Sequence, residues 1–230
     1  MSLKRILILF ISAISMLPNA FAQPTDPDDG TSGDTAGDKI AEERTPSRFG
    51  AQILLGFNAA QIDGDGMAGY NKFGLNAGIR GIVHIRPKFD ASVEIQYNQR
   101  GAALGLRDYN STLRSINLDY AEIPIMAHYR DWRFQVGAGL SYGRLLNVKV
   151  TDIGGADLTD ALIKDLKTYD ISYVLAGNLF FNKHLAANMQ FSRSFINLLK
   201  SDSNLFRNYA FYSNNLFNSY YFTMRLCYQL

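Results

Sequence analysis

The sequence predicts an all-β protein, an eight-stranded antiparallel up-and-down transmembrane β-barrel. Three observations carry that reading. Apolar residues recur at every second position in segment after segment beyond residue 48. The breaks between those segments alternate between short and long, the pattern of a barrel with tight turns on one rim and loops on the other. The chain opens on an export pattern.

Residues 1–22 place Lys4 and Arg5 before an apolar stretch from Ile6 to Leu17 and an Ala20-Phe21-Ala22 cleavage site, which reads as a secretory signal peptide cut before Gln23. That stretch is too short for a helical membrane span, which needs about 20 apolar residues. Residues 23–47 carry seven acids and two bases among Gly, Pro, Ser and Thr, with Ile40 the only large apolar side chain. Such a composition cannot bury enough surface to offset the entropy of ordering, so a disordered acidic periplasmic linker of net charge −5 is expected. The barrel domain is then 48–230, with 19 bases and 14 acids.

The last strand shows the alternation best: Tyr220, Phe222, Met224, Leu226, Tyr228 and Leu230 share one parity, and Tyr221, Thr223, Arg225, Cys227 and Gln229 the other. Residues 90–98 and 133–142 repeat the arrangement, and noisier strands are expected at 48–61, 73–86, 114–129, 168–181 and 185–196. In 114–129 the parity of Ile116, Leu118 and Tyr120 conflicts with that of Ile123, Ile125 and Ala127. A bulge near Tyr120, or an early part projecting above the membrane, would reconcile them. Pro124, unable to donate to a ladder, predicts a local irregularity in the same strand. Short breaks fall at 86–88, 129–131 and 181–183, and long ones at 62–72, 101–113, 148–167 and 197–214. Turns and both termini are therefore expected at the periplasmic side.

Alternation reports two faces without saying which looks inward. The polar face here is rich in Gly, Asn, Ser and Gln and poor in Lys, unlike a water-exposed surface, and aromatic residues mark the ends of the apolar faces. Both features favour a lipid-facing apolar side over a secreted, lipocalin-like ligand-binding barrel. Eight strands enclose only enough room for side chains. Parity then points Arg80, Glu94, Glu122, Arg133 and Arg225 into the lumen, where they are expected to form a polar network that plugs it.

Three segments, Phe57 to Gly74 with its DGDG-x-x-GYNK loop, Glu94 to Gly101, and Asp119-Tyr120-Ala121-Glu122-Ile123-Pro124-Ile125, resemble the PorT-like outer-membrane β-barrel proteins of Bacteroidetes-type bacteria. The likeness runs over about 48–230. It implies a small outer-membrane barrel of a Gram-negative cell envelope, with the type IX secretion role of one member as the nearest functional association.

Other chemistries fit poorly. Zero net charge after removal of the signal offers no electrostatic grip on nucleic acid, and one cysteine with three histidines gives no Cys/His metal set. Asp63-Gly64-Asp65-Gly66 lacks the EF-hand oxygens at Met67 and Gly74, so it reads as a loop turn. His84, His128 and His184 all fall in the short-turn half, away from an outer-rim catalytic site. No cofactor and no catalytic residue is expected. The aromatic stretch 205–217 is expected to fold over the barrel mouth or to bind glycans or protein. The expected function is a structural or interaction role at the envelope, as an accessory of protein secretion, with an outer-membrane lipid-modifying enzyme as the alternative. Expected partners are outer-membrane lipid and lipopolysaccharide, the barrel-assembly machinery during insertion, and an envelope or secretion protein, for a chain that is itself monomeric.

Overall fold

A strand that alternates apolar and polar side chains has two unlike faces, and pairing eight of them into a ring gives the ring an oily side and a polar side. A computed structural model describes residues 48–64, 67, 69–105, 113–200 and 217–230. The expected signal peptide, the acidic linker and most of the aromatic stretch 205–217 lie outside them.

The strands are β1 (Phe49–Ile62), β2 (Lys72–Arg86), β3 (Phe89–Ala103), β4 (Leu113–Asp131), β5 (Phe134–Asp152), β6 (Tyr169–Phe180), β7 (Leu185–Ser194) and β8 (Ser219–Gln229). They close in sequence order, β8 returning to β1, and every pair is antiparallel. A single short helix, α1 (Thr159–Ile163), is the only helix among the described residues, and none is long and apolar enough to cross a membrane.

Over the part of each strand nearer the short turns, the outward parity is apolar. On β8, Phe222, Met224, Leu226 and Tyr228 are exposed, and on β5 Phe134, Val136, Leu140 and Tyr142 are. The opposite parity is buried and largely polar, with Gln52, Asn76, Arg80, Glu94, Gln96, Gln190 and Thr223 among its members. Water would not tolerate the first face and an oily core would not tolerate the second. Both fit a barrel wetted by acyl chains. β5 presents Phe134, Val136, Ala138, Leu140 and Tyr142 outward in succession, the length a tilted strand needs to cross.

Three strands outrun the expectation. β3 continues to Ala103, β4 begins at Leu113, and β5 continues to Asp152, so the loops expected at 101–113 and 148–167 are partly strand. The parity conflict in β4 resolves as the second of the two expected ways, with the early part of the strand lying above the lipid-facing belt. Ile116, Leu118, Tyr120, Glu122, Met126 and His128 all point inward without a break. What changes at Tyr120 is the lining, which turns apolar, while Asn117 and Asp119 face outward. A register shift does occur there, but the extra residue is Leu146 on β5, because Tyr120 pairs with Leu145 and Asp119 with Asn147. Pro124 does interrupt a ladder: β3 and β4 pair up to Val93–Ile125 and again from Gln96–Glu122, with Glu94 and Ile95 unpaired between.

Candidate functional site

The lumen is the natural place to look for function, and its contents follow from strand parity. Glycines on the inner face of β5 make the room. A Cβ on Gly137 would overlap the His128 ring, one on Gly139 would overlap Met126, and one on Gly143 would press on Tyr120, Arg100 and Glu122. β5 thus yields space that the bulky inward side chains of β3 and β4 occupy.

Two ion-pair clusters fill the middle. In the first, the Glu94 carboxylate lies between two guanidinium groups: Oε1 accepts from Arg80 Nε at 2.6 Å and Oε2 from Arg225 Nη1 at 2.9 Å. Arg80 also donates to Gln52 at 3.0 Å and Asn178 at 3.3 Å. Arg225 also donates to Gln96 at 2.6 Å, Gln190 at 2.5 Å and Asn188 at 2.9 Å. In the second, Glu122 accepts from Gln96 Nε2 at 2.9 Å, Asn98 Nδ2 at 3.1 Å and the Tyr221 hydroxyl at 2.7 Å. Arg100 lies 3.5 Å from Glu122 and 2.7 Å from Asp170, with its guanidinium 3.8 Å over the Tyr120 ring. Gln96 joins the clusters, accepting from Arg225 and donating to Glu122. Three buried guanidinium groups therefore face three buried carboxylates. Such a set tolerates desolvation because each ion keeps an opposite charge beside it, with hydrogen bonds added around Glu94, Glu122, Arg80 and Arg225 and aromatic rings around Arg100.

Of the five lumen residues singled out from sequence, Arg80, Glu94 and Arg225 share one cluster and Glu122 anchors the other. Arg133 is elsewhere. The last ladder pair is Asp131–Phe134, so Arg133 lies beyond it in the two-residue turn, exposed, with its guanidinium 5.2 Å from the Trp132 ring. Parity counts only while the ladder continues. Arg100 and Asp170 were missed by sequence, although the signal was present: Arg100 shares the parity of Glu94, Gln96 and Asn98, on a strand taken to end too early.

Toward the long loops the lining becomes a hydrophobic core. Ile62, Met67, Ala102, Leu113, Ile116, Leu118, Val148, Val150, Leu166, Leu198 and Phe217 are all buried there. The β5–β6 and β7–β8 connections meet over it through Lys167 N–Leu198 O at 2.7 Å and Lys200 N–Asp165 O at 2.8 Å, and within the second connection Leu198 N donates to Phe217 O at 2.9 Å. Phe217, the described end of the aromatic stretch, is part of this core. In this upper portion the barrel has a soluble protein's polarity, apolar within and polar without.

Toward the short turns, Asp90 accepts from Gln135 Nε2 at 2.6 Å and meets His84 Nδ1 at 2.6 Å, while Ser92 Oγ and His128 Nε2 are 2.7 Å apart. A buried Ser–His contact suggests nucleophile chemistry, which needs an acid on the other ring nitrogen. His128 Nδ1 has no hydrogen-bond partner, and both residues are 3% exposed. Among the described residues no three His, Cys, Asp or Glu side chains group as metal ligands. Asp63 and Gly64 of the acidic loop are described, and Asp63 faces Arg193 at 3.4 Å; Asp65 and Gly66 lie outside the described residues.

A family model described as an outer membrane protein beta-barrel domain matches residues 21–200. The chain belongs to that family. It is an outer-membrane β-barrel protein, and the lipid its oily face meets is that of the outer membrane. Solved structures similar to this outer-membrane barrel include the attachment invasion locus protein Ail of Yersinia pestis, at 10% identity and TM-score 0.46, covering 80% of this chain and 100% of that one. Neisserial surface protein A is similar at 11% identity and TM-score 0.42, over 80% and 98%. OprG from Pseudomonas aeruginosa is similar at 12% identity and TM-score 0.37, over 79% and 96%. Among curated proteins nothing matches.

Proposed function

We propose that this outer-membrane barrel is a closed, monomeric scaffold with an interaction role, working through its loop end and its rims, with nothing passing through it. The observation that supports this is the continuous filling of the lumen: a hydrogen-bonded cluster around Asp90, two ion-pair clusters, then an apolar core. A solute would have to separate buried ion pairs, each costing about 3–5 kcal/mol to break, and then cross an oily plug. The role is non-catalytic on this reading: the His128 ring lacks an orienting acid, and its serine neighbour is walled in.

The finer assignment we propose is to the PorT-like barrels, on the residues Phe57–Gly74, Glu94–Gly101 and Asp119–Ile125, with an accessory part in a type IX-like secretion route. Its partners would be lipopolysaccharide around the loop end and an envelope protein at the loops. In planar bilayers the purified protein is expected to show no porin-sized conductance. In cells, photocrosslinkers at exposed loop positions such as Ile153 and Ile163 are expected to capture a discrete envelope protein, and a deletion strain to lose secreted cargo while its lipid-acyl profile stays unchanged. Open-channel currents would refute the scaffold. An altered acyl profile would instead support the lipid-modifying enzyme.

A further inference from the structure

The two rims of the barrel differ in charge. On the long-loop rim, cations such as Lys72, Arg144, Lys149 and Lys164 are interspersed with carboxylates such as Asp63, Asp119, Asp157 and Asp160. The short-turn rim is strongly cationic. Each of its three turns displays one exposed cation, Lys88 between β2 and β3, Arg133 between β4 and β5, and Lys183 between β6 and β7. Arg48 and Arg86 add two more exposed cations, and Arg130 a half-buried one. Asp131 is the only exposed acidic side chain there among the described residues, and it pairs with Lys88 at 2.9 Å. That hydrogen bond raises the lysine pKa, so Lys88 stays charged.

These cations stand at a particular depth. They lie just outside the last lipid-facing aromatic residues, Phe89, Tyr129, Phe134 and Phe181, where acyl chains give way to headgroups. Lys88 Nζ is 5.9 Å from the Tyr129 ring centre, and Arg133 lies over Trp132. Trp132 itself is 79% exposed and holds φ at 51°, a left-handed backbone that a bulky residue adopts at a cost of roughly 1–2 kcal/mol. Asn or Gly would fill that turn without strain. The strain is explained if the indole earns a contact beyond the chain itself, and an indole at that depth meets the headgroup–acyl boundary.

We propose that the short-turn rim is a docking surface for anionic phospholipid headgroups, held by Arg86, Arg133 and Lys183, with Trp132 seated beside them. A cation at the phosphate level attracts an anionic lipid and has no such preference for a zwitterionic one. The rim would therefore gather acidic lipid around the barrel and fix its depth and tilt.

Trp132 is the chain's one tryptophan and reports on its own neighbourhood. The folded protein is reconstituted into phosphatidylcholine vesicles containing a minor fraction of phosphatidylglycerol. Bromine atoms are carried either by the acyl chains of the phosphatidylglycerol or by those of an equal amount of phosphatidylcholine. Brominated phosphatidylglycerol is expected to quench Trp132 more strongly, corresponding to enrichment on the order of fivefold per engaged cation at low salt. The preference is expected to shrink as salt rises, to weaken in Arg133→Gln/Lys183→Gln and to vanish in Arg86→Gln/Arg133→Gln/Lys183→Gln. Because each variant is compared with itself across two lipids, a change in intrinsic emission cancels, and heat-modifiable migration verifies that the variant is folded. Equal quenching by the two lipids in the wild type would overturn the proposal, as would a preference that persists undiminished in the triple variant. Equal quenching with retention of the wild type on an acidic-peptide resin would assign the cations to an acidic protein instead.

Discussion

Replacing Glu94 by alanine tests whether the lumen is held together by its ions. Glu94 is fully buried and its two oxygens serve different guanidinium groups, so one truncation leaves both Arg80 and Arg225 without a counter-charge. Each arginine keeps neutral acceptors, Gln52 and Asn178 for one, Gln96, Gln190 and Asn188 for the other, and these temper the loss without cancelling the charge. Breaking a buried pair by removing one partner costs about 3–5 kcal/mol, and here two cations are stranded, so the upper part of that range is expected. Glu122→Ala should cost less, about 2–4 kcal/mol, because Arg100 retains Asp170 at 2.7 Å and the other orphaned donors are neutral. Urea unfolding of the protein in lipid vesicles, followed by Trp132 emission, measures both, and planar bilayers check that neither variant conducts. If Glu94→Ala unfolded at the wild-type urea concentration, or if Glu122→Ala proved the costlier change, the view of Glu94 as the bridging ion would be wrong.

Other consequences of the geometry are open to the same assay. Ala138, central among the five outward positions of β5, should lose about 2–4 kcal/mol on replacement by Arg, whereas Phe134→Arg at the rim should lose only about 0–1; equal losses would contradict the placement of the belt. Gly137→Ala should cost about 1–3 kcal/mol by displacing the His128 ring, and Gly137→Ala/His128→Ala should recover most of it; a neutral single variant would mean the ring is not packed there. Leu118→Ala in the loop-end core should cost about 2–5 kcal/mol and expose the long loops to protease while the membrane-embedded part stays protected; unchanged protease resistance would refute the existence of a separate upper core.

The parts of this molecule that sequence made legible are those in which a strand has one environment along its length. β8 alternates in burial without exception from Tyr220 to Tyr228, and its facing came directly from that parity. β4 crosses from one environment to another. Its inward residues are Ile116, Leu118 and Tyr120 above, then Glu122, Met126 and His128 below, while the exposed apolar residues Ile123 and Ile125 take the other parity, so the apolar pattern shifts although the side chains never change face. Hydrophobicity reports which side chains avoid water, and inside a membrane the water-avoiding side is the outside. Above the membrane the same preference points inward. A reading that assigns one polarity to the lumen must therefore see a conflict wherever a strand leaves the bilayer. The candidate site shows the same limit: Arg80, Glu94, Glu122 and Arg225 lie well within ladders and were found, while Arg133 lies one residue past the end of one.

The reversal of polarity also says where function can reside. Below Tyr120 the wall separates lipid from an ion-paired interior, in which Arg80, Arg100 and Arg225 are each engaged with an inward carboxylate. Above it the wall separates water from an apolar core sealed by two connections. Neither interior is offered to a ligand: the lower one would require breaking ion pairs, the upper one displacing packed side chains. What remains available is exterior, namely the polar outer face of the extended β4–β5 hairpin with Asn117, Asp119, Asn147 and Lys149, the loops above it, and the cationic turns at the opposite rim. A filled barrel holds those surfaces at fixed depth and spacing on the two sides of one membrane, which is what the proposed scaffold role requires.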